Sequence, residues 1–95
     1  MKFTEDQIVS AIKKWARNNM CASCYCDIDT FLDEMDVLIN GDDNIYIEDA
    51  VEELKYLGAD VDEETTTLID RLIRQEAKVW LADYRKNRKE YESYD

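Results

Sequence analysis

Three thiols stand close together, at Cys21, Cys24 and Cys26. Thiolates are good zinc ligands, and Cys21-x2-Cys24-x-Cys26 offers three of the four that a closed structural site needs. The chain has no histidine and no fourth cysteine, so Asp27 or a second chain would have to complete the set. The usual zinc pattern is two spaced pairs. Reduced thiols, one or two of them buried, are the simpler expectation. A small metal-binding helical domain stays open as an alternative, with Cys21, Cys24 and Cys26 as its candidate ligands.

The run Asn40–Val51 can be tried as a calcium loop. Asn40, Asp42 and Asn44 then stand at its first, third and fifth positions. The sixth should be glycine and is Ile45; the twelfth should be glutamate and is Val51. Two essential positions fail. Catalysis is equally poorly supplied. Without histidine there is no Cys-His or Ser-His pair, and no glycine-rich phosphate loop is present. Carboxylates abound, but none has the apolar setting that would raise a pKa for acid–base work. No enzyme and no cofactor is expected.

The carboxylates do define something else. Asp27–Asp70 holds sixteen Asp and Glu against one base, Lys55, a local net of −15. Met1–Cys26 carries four bases and two acids, and Arg71–Asp95 seven bases and five acids, which closes on the chain's net charge of −11. Such a field repels nucleic acid and anionic membranes and favours a basic partner. Surface helices usually mix signs, because like charges at i,i+4 cost a few tenths of a kcal/mol. Asp29/Asp33 and Glu48/Glu52 are such pairs, and one lysine would relieve each. A sequence that accepts these costs is expected to use the field; a generic solvating face is the alternative.

The elements must now be found that hold these groups. Ninety-five residues make one domain. No proline and two glycines, Gly41 and Gly58, argue for helices with few joints. An apolar content of 45% supports a packed core. No apolar h-region opens the chain and no run approaches a membrane span, so a cytoplasmic protein is expected.

A first helix is expected over Met1–Asn19. Thr4 and Gln7 form a capping box, Phe3 and Ile8 a hydrophobic staple, and Asn18-Asn19 the stop. Its apolar stripe is Ile8, Ala11, Ile12, Trp15 and Ala16. A second helix is capped by Asp27, carries Ile28, Phe31, Leu32, Met35, Leu38 and Ile39 at helical spacing, and ends at Asn40-Gly41. Ile45-Tyr46-Ile47 alternates and is β-branched, which allows a short extended segment near 45–47. A third helix runs from about Glu48, with Ala50, Val51, Leu54 and Leu57 inward and Gly58 as its C′ residue. The last helix opens on Asp60-x-x-Glu63, turns Leu68, Ile69, Leu72, Ile73, Val79, Trp80 and Tyr84 inward, and reaches about Glu90; Thr65–Thr67 are expected to loosen its first turns. Residues 91–95 are expected to fray. The fold class is therefore all-α, a small four-helix bundle whose long C-terminal helix is the spine.

On a wheel of about 100° per residue, Asp29, Asp33 and Asp36 fall on one flank of the second helix and Glu34 on the other. Glu48, Asp49, Glu52 and Glu53 take the outer side of the third. Duplex DNA is a regular array of negative charge, and its binders present matching Lys and Arg. Carboxylates fixed on helices can fill that basic groove in its place. Tyr25, Tyr46 and Tyr56 stand near the acids as anchors. In size, charge, helicity and the cluster Asp42-Asp43-Asn44-Ile45-Tyr46, the whole chain resembles the small, acidic, phage-encoded inhibitors that include many anti-CRISPR proteins and other DNA mimics. It is also similar in character to the acidic helical immunity proteins that block toxin nucleases. The resemblance rests on no single motif. It implies an inhibitor or decoy for a basic nucleic-acid-binding protein, a nuclease or CRISPR effector, acting in the host cell's cytoplasm if phage-encoded. The candidate partner-binding residues are Asp29, Asp33, Asp36, Asp42, Asp43, Tyr46, Glu48, Asp49, Glu52, Glu53 and Tyr56.

A different class stays open. If the last helix outruns the others, Val79, Trp80 and Tyr84 form an apolar strip, and the chain would be a helical adapter or oligomerisation module, possible as a homodimer. Cover of that strip by the first helix, through Trp15, is the other outcome.

Overall fold

The computed structural model describes residues 2–20, 25, 27–41 and 45–92. It contains α1 (Glu5–Asn19), α2 (Ile28–Asn40), α3 (Ile45–Tyr56), α4 (Glu63–Lys86) and α5 (Arg88–Glu92). No strand occurs among the described residues. The long α4 is the spine. α1, α2 and α3 each pack on it, and α1 also packs on α3. At 24 residues, α4 is about 36 Å long. It stretches the molecule to 43 × 22 × 20 Å, and the radius of gyration of 13.7 Å exceeds the roughly 12 Å of a compact chain this long.

Local chemistry sets most helix ends. The Thr4 hydroxyl accepts from the Gln7 amide at 3.2 Å, and the Gln7 side chain accepts from the Thr4 amide at 2.8 Å, the reciprocal capping box. The Asn19 side chain donates to the Trp15 carbonyl at 2.8 Å and finishes α1. Asp27 caps α2 through the Thr30 amide at 2.8 Å. Gly41 closes that helix at φ +82°, a left-handed conformation that a side chain resists. Gly58 ends α3 in a Schellman motif: its amide donates to the Lys55 carbonyl and the Ala59 amide to the Leu54 carbonyl, both at 3.0 Å. Ala59 and Leu54 are both buried there.

Several expectations are corrected. Residues 45–47 are helical and open α3 three residues before Glu48. The alternation of Ile45-Tyr46-Ile47 yields because Ile47, Ala50 and Leu54 share one buried face at helical spacing, and burial outweighs β-propensity. α4 starts from Asp62 instead of Asp60: the Asp62 carboxylate accepts from the Thr65 amide at 2.8 Å, and Thr65 is itself buried. Its first turn is pinned, since Thr66 and Thr67 return their hydroxyls to the carbonyls of Asp62 and Glu63. α4 stops at Lys86, where Asn87 leaves helical geometry at φ −119° and ψ 42° with its side chain donating to the Asp83 carboxylate at 3.0 Å, and α5 follows. Val79, expected inward, is 59% exposed. The expected fraying of 91–95 falls mostly outside the described residues.

The core is continuous. Ile8, Ile12, Trp15 and Ala16 of α1 meet Phe31, Met35 and Leu38 of α2, Ile47 and Leu54 of α3, and Ile69, Ile73 and Ala77 of α4. A chain of aromatic contacts runs across it. Trp15 meets Tyr46 edge-on with ring centroids 5.9 Å apart, Tyr25 meets Phe31 at 5.7 Å, and Phe31 meets Tyr84 at 6.4 Å. The Tyr25 and Tyr46 hydroxyls, 2.7 Å apart, close the link between the lead into α2 and the first turn of α3.

Candidate functional site

The acidic side chains lie where the helical periodicity places them. On α2, burial of Ile28, Phe31, Met35 and Leu38 fixes the helix rotation and leaves Asp29, Asp33 and Asp36 exposed on one flank. On α3, burial of Ile47, Ala50 and Leu54 turns Glu48, Asp49, Glu52 and Glu53 outward. These acids have little internal compensation. Lys55 reaches Glu52 at 3.8 Å, and both side chains are more than half exposed, so water screens the pair. Asp36 accepts from the Asn40 side chain at 3.0 Å. Among the described residues, Asp29, Asp33, Glu48, Asp49 and Glu53 pair with no cation. Asp42 and Asp43 lie outside the described residues.

Asp70 is spent on a contact that links two helices through Arg74. Its carboxylate accepts from Arg74 Nε at 2.6 Å, while the same guanidinium donates to the Leu38 carbonyl at 2.7 Å. α2 has no base in its last turn. Arg74, reaching across from α4, supplies the cation that the carbonyl end of the α2 dipole lacks. Sequence reasoning missed this residue. The available signal was an arginine adjoining the core stripe at Ile73, opposite a helix without a C-terminal base.

The tyrosines divide. Tyr46 is half-buried, with its ring on Trp15 and its hydroxyl on Tyr25, so both Tyr46 and Tyr25 spend their surface on the fold. Tyr56 is 86% exposed and Ile45 67% exposed, both on α3 beside the acids. Leu57, expected inward, is 50% exposed. With Ala11, Lys14, Trp15, Asn18, Asn19 and Glu53 it lines a shallow groove between α1 and α3. The strip expected on the last helix breaks up. Tyr84 is buried against Phe31 of α2 and is removed from any surface, Trp80 is half-buried, and Val79 alone of the three is exposed. Trp15 meets Tyr46 of α3 edge-on, while α1 as a whole packs on α4.

Among the described residues, three carboxyls depart from ordinary titration. The Asp27 and Asp62 carboxylates are held below the usual range by the amides of Thr30 and Thr65 that they cap. Glu76 of α4 is pushed up by burial, partly opposed by the charge of Lys13 on α1. None sits in a cleft with a nucleophile, so these shifts belong to helix capping and packing.

Among the described residues no cluster of His, Cys, Asp or Glu is placed to hold a metal; Cys21, Cys24 and Cys26 lie outside those residues. The calcium-loop alternative loses its loop, since Asn40 ends α2 and Ile45 already begins α3. No described helix is long and apolar enough to cross a membrane.

No family model, curated protein or solved structure matches the chain. What the site can do follows from its own geometry and charge. It offers fixed, solvent-facing carboxylates on two helices, backed by a rigid core.

Proposed function

We propose that this protein is an acidic inhibitor or decoy that binds the basic nucleic-acid-binding surface of a nuclease-type target, such as a CRISPR effector. One observation carries the reading. Asp29, Asp33 and Asp36 of α2 and Glu48, Asp49, Glu52 and Glu53 of α3 are exposed, held on helices whose rotation the core fixes, and have Lys55 on Glu52 as their one ion pair among the described residues. A rigid acidic array facing a basic groove associates fast and displaces the nucleic acid that the groove was built for. Direct binding of nucleic acid or an anionic membrane runs against the net charge of −11. The protein acts here as a binder, without catalysis and without a cofactor, in the cytoplasm where such a target works.

A DNA column loaded with a lysate tests this. Washing with the protein at low salt is expected to release a basic nuclease whose activity it inhibits, and less of it at moderate salt, where screening shortens the field. Release of no nucleic-acid-binding protein at low salt would count against the reading.

A further inference from the structure

Burial of Ile47, Ala50 and Leu54 fixes which side of α3 points away from the molecule. At about 100° per residue, Ile45, Asp49, Glu52 and Tyr56 then fall within an arc of about 60° centred on that outer side. Glu48 and Glu53 flank the arc. The four line up along the axis as apolar, acid, acid, apolar, and Ile45 and Tyr56 stand about 16 Å apart.

Exposure separates α3 from α2. The large apolar side chains most exposed among the described residues are Ile45, Tyr56, Leu57 and Val79. Two of these lie on α3 and Leu57 follows it directly; none lies on α2. The α2 flank therefore offers charge without an anchor, whereas α3 offers both. Interfaces concentrate their affinity in a few aromatic or apolar anchors and draw orientation and on-rate from charge. An exposed tyrosine at one end of an acidic row and an isoleucine at the other have the composition of such a face.

We infer that the outer face of α3, through Ile45, Asp49, Glu52 and Tyr56, is the surface that docks on the target, and that α2 contributes long-range attraction. The inference rests on the inhibitor reading and adds to it the face and the shape of its complement. The occupant is a basic protein groove with an apolar niche at each end, about 16 Å apart. Charge selects this occupant. Glu48, Asp49, Glu52 and Glu53 face out against one base, Lys55, so a second copy of the same face or an anionic lipid surface would be repelled.

The test compares two variants for binding to a panel of purified basic nucleases, with polylysine as a charge-only probe. Ile45→Ala/Tyr56→Ala keeps every charge. Asp29→Asn/Asp33→Asn/Asp36→Asn removes three charges from α2. The first is expected to weaken binding to the responsive nuclease about tenfold or more, to leave polylysine binding unchanged, and to keep the helical circular dichroism spectrum. The second is expected to slow association without raising dissociation. If the α2 variant abolishes binding and the α3 variant does not, the docking face is overturned while the inhibitor reading stands. If no nuclease of the panel binds the unaltered protein, both are overturned.

Discussion

Arg74 offers a sharp test of how the helices are held in register. Its guanidinium bridges two elements, donating to the Leu38 carbonyl at 2.7 Å and to Asp70 at 2.6 Å. Replacing it by methionine keeps most of the stem and removes both bonds. A charged hydrogen bond to a partly buried carbonyl contributes about 1.5–3 kcal/mol. The Asp70 pair adds less, about 0.5 kcal/mol, because its side chains are 21% and 42% exposed. The Gly41 amide still approaches the Leu38 carbonyl at 3.3 Å, which keeps the loss toward the lower end. Arg74→Met is therefore expected to cost about 2 kcal/mol, from a total of roughly 5–14 kcal/mol for a chain of this length. The thermal midpoint should fall by roughly 10–15 °C, read by circular dichroism at 222 nm. Asp70→Asn should cost less than a third of that, and Arg74→Lys should fall between them, since one ammonium cannot reproduce the fork. A midpoint for Arg74→Met within about 3 °C of the parent, or a larger loss for Asp70→Asn than for Arg74→Met, would refute the reasoning.

Phe31→Ala removes a fully buried ring that touches Tyr25 and Tyr84; a loss of about 3–5 kcal/mol is expected, read as a lower urea midpoint with unchanged slope. Gly58→Ala meets no atom within 4 Å but must adopt φ +96°, so a loss of about 1 kcal/mol from backbone strain alone is expected, and Gly58→Asn should recover part of it. Asp27 has its pKa lowered by the Thr30 amide: its contribution is present above the unfolded value and is lost as pH falls through the folded one. Asp27→Asn keeps a capping oxygen but cannot titrate, so it should flatten the acid side of the stability curve below about pH 4. Glu76 has its pKa raised by burial, so the folded chain holds that proton more tightly and stability falls as pH rises through its titration. Glu76→Gln should therefore raise the midpoint at pH 7 and leave it unchanged at pH 3.

The fold was largely legible because short-range rules agreed with burial. The Thr4–Gln7 box, the Asp27 cap and both glycine stops depend on neighbours within one turn, and each lies where its sequence signal stands. The misreadings share a cause. Ile45-Tyr46-Ile47 reads as extended until Trp15 and the core claim Tyr46 and Ile47. Asp60 and Asp62 are both plausible caps, and the choice between them is made by the burial of Thr65. Val79 and Tyr84, five residues apart, stand about 140° from each other on a helical wheel, and Tyr84 is the one with Phe31 opposite it. Of the candidate site, the exposure of the acids followed from periodicity. The internal use of Tyr25 and Tyr46, and the bridging by Arg74, depend on contacts between residues 21 or more apart in the chain, which spacing alone does not encode.

The claim that the acidic helices are the working surface meets its most direct test in one inhibition assay. Asp33, Asp36, Glu52 and Glu53 are all exposed, so changing the four to lysine moves the net charge from −11 to −3 while touching no core residue. Inhibition of a nuclease displaced from the DNA column is titrated with the parent and with this variant, at low and moderate salt, beside a circular dichroism spectrum. The account predicts inhibition by the parent that weakens with salt, and none by the variant with its helices intact. Undiminished inhibition by the folded variant would contradict it.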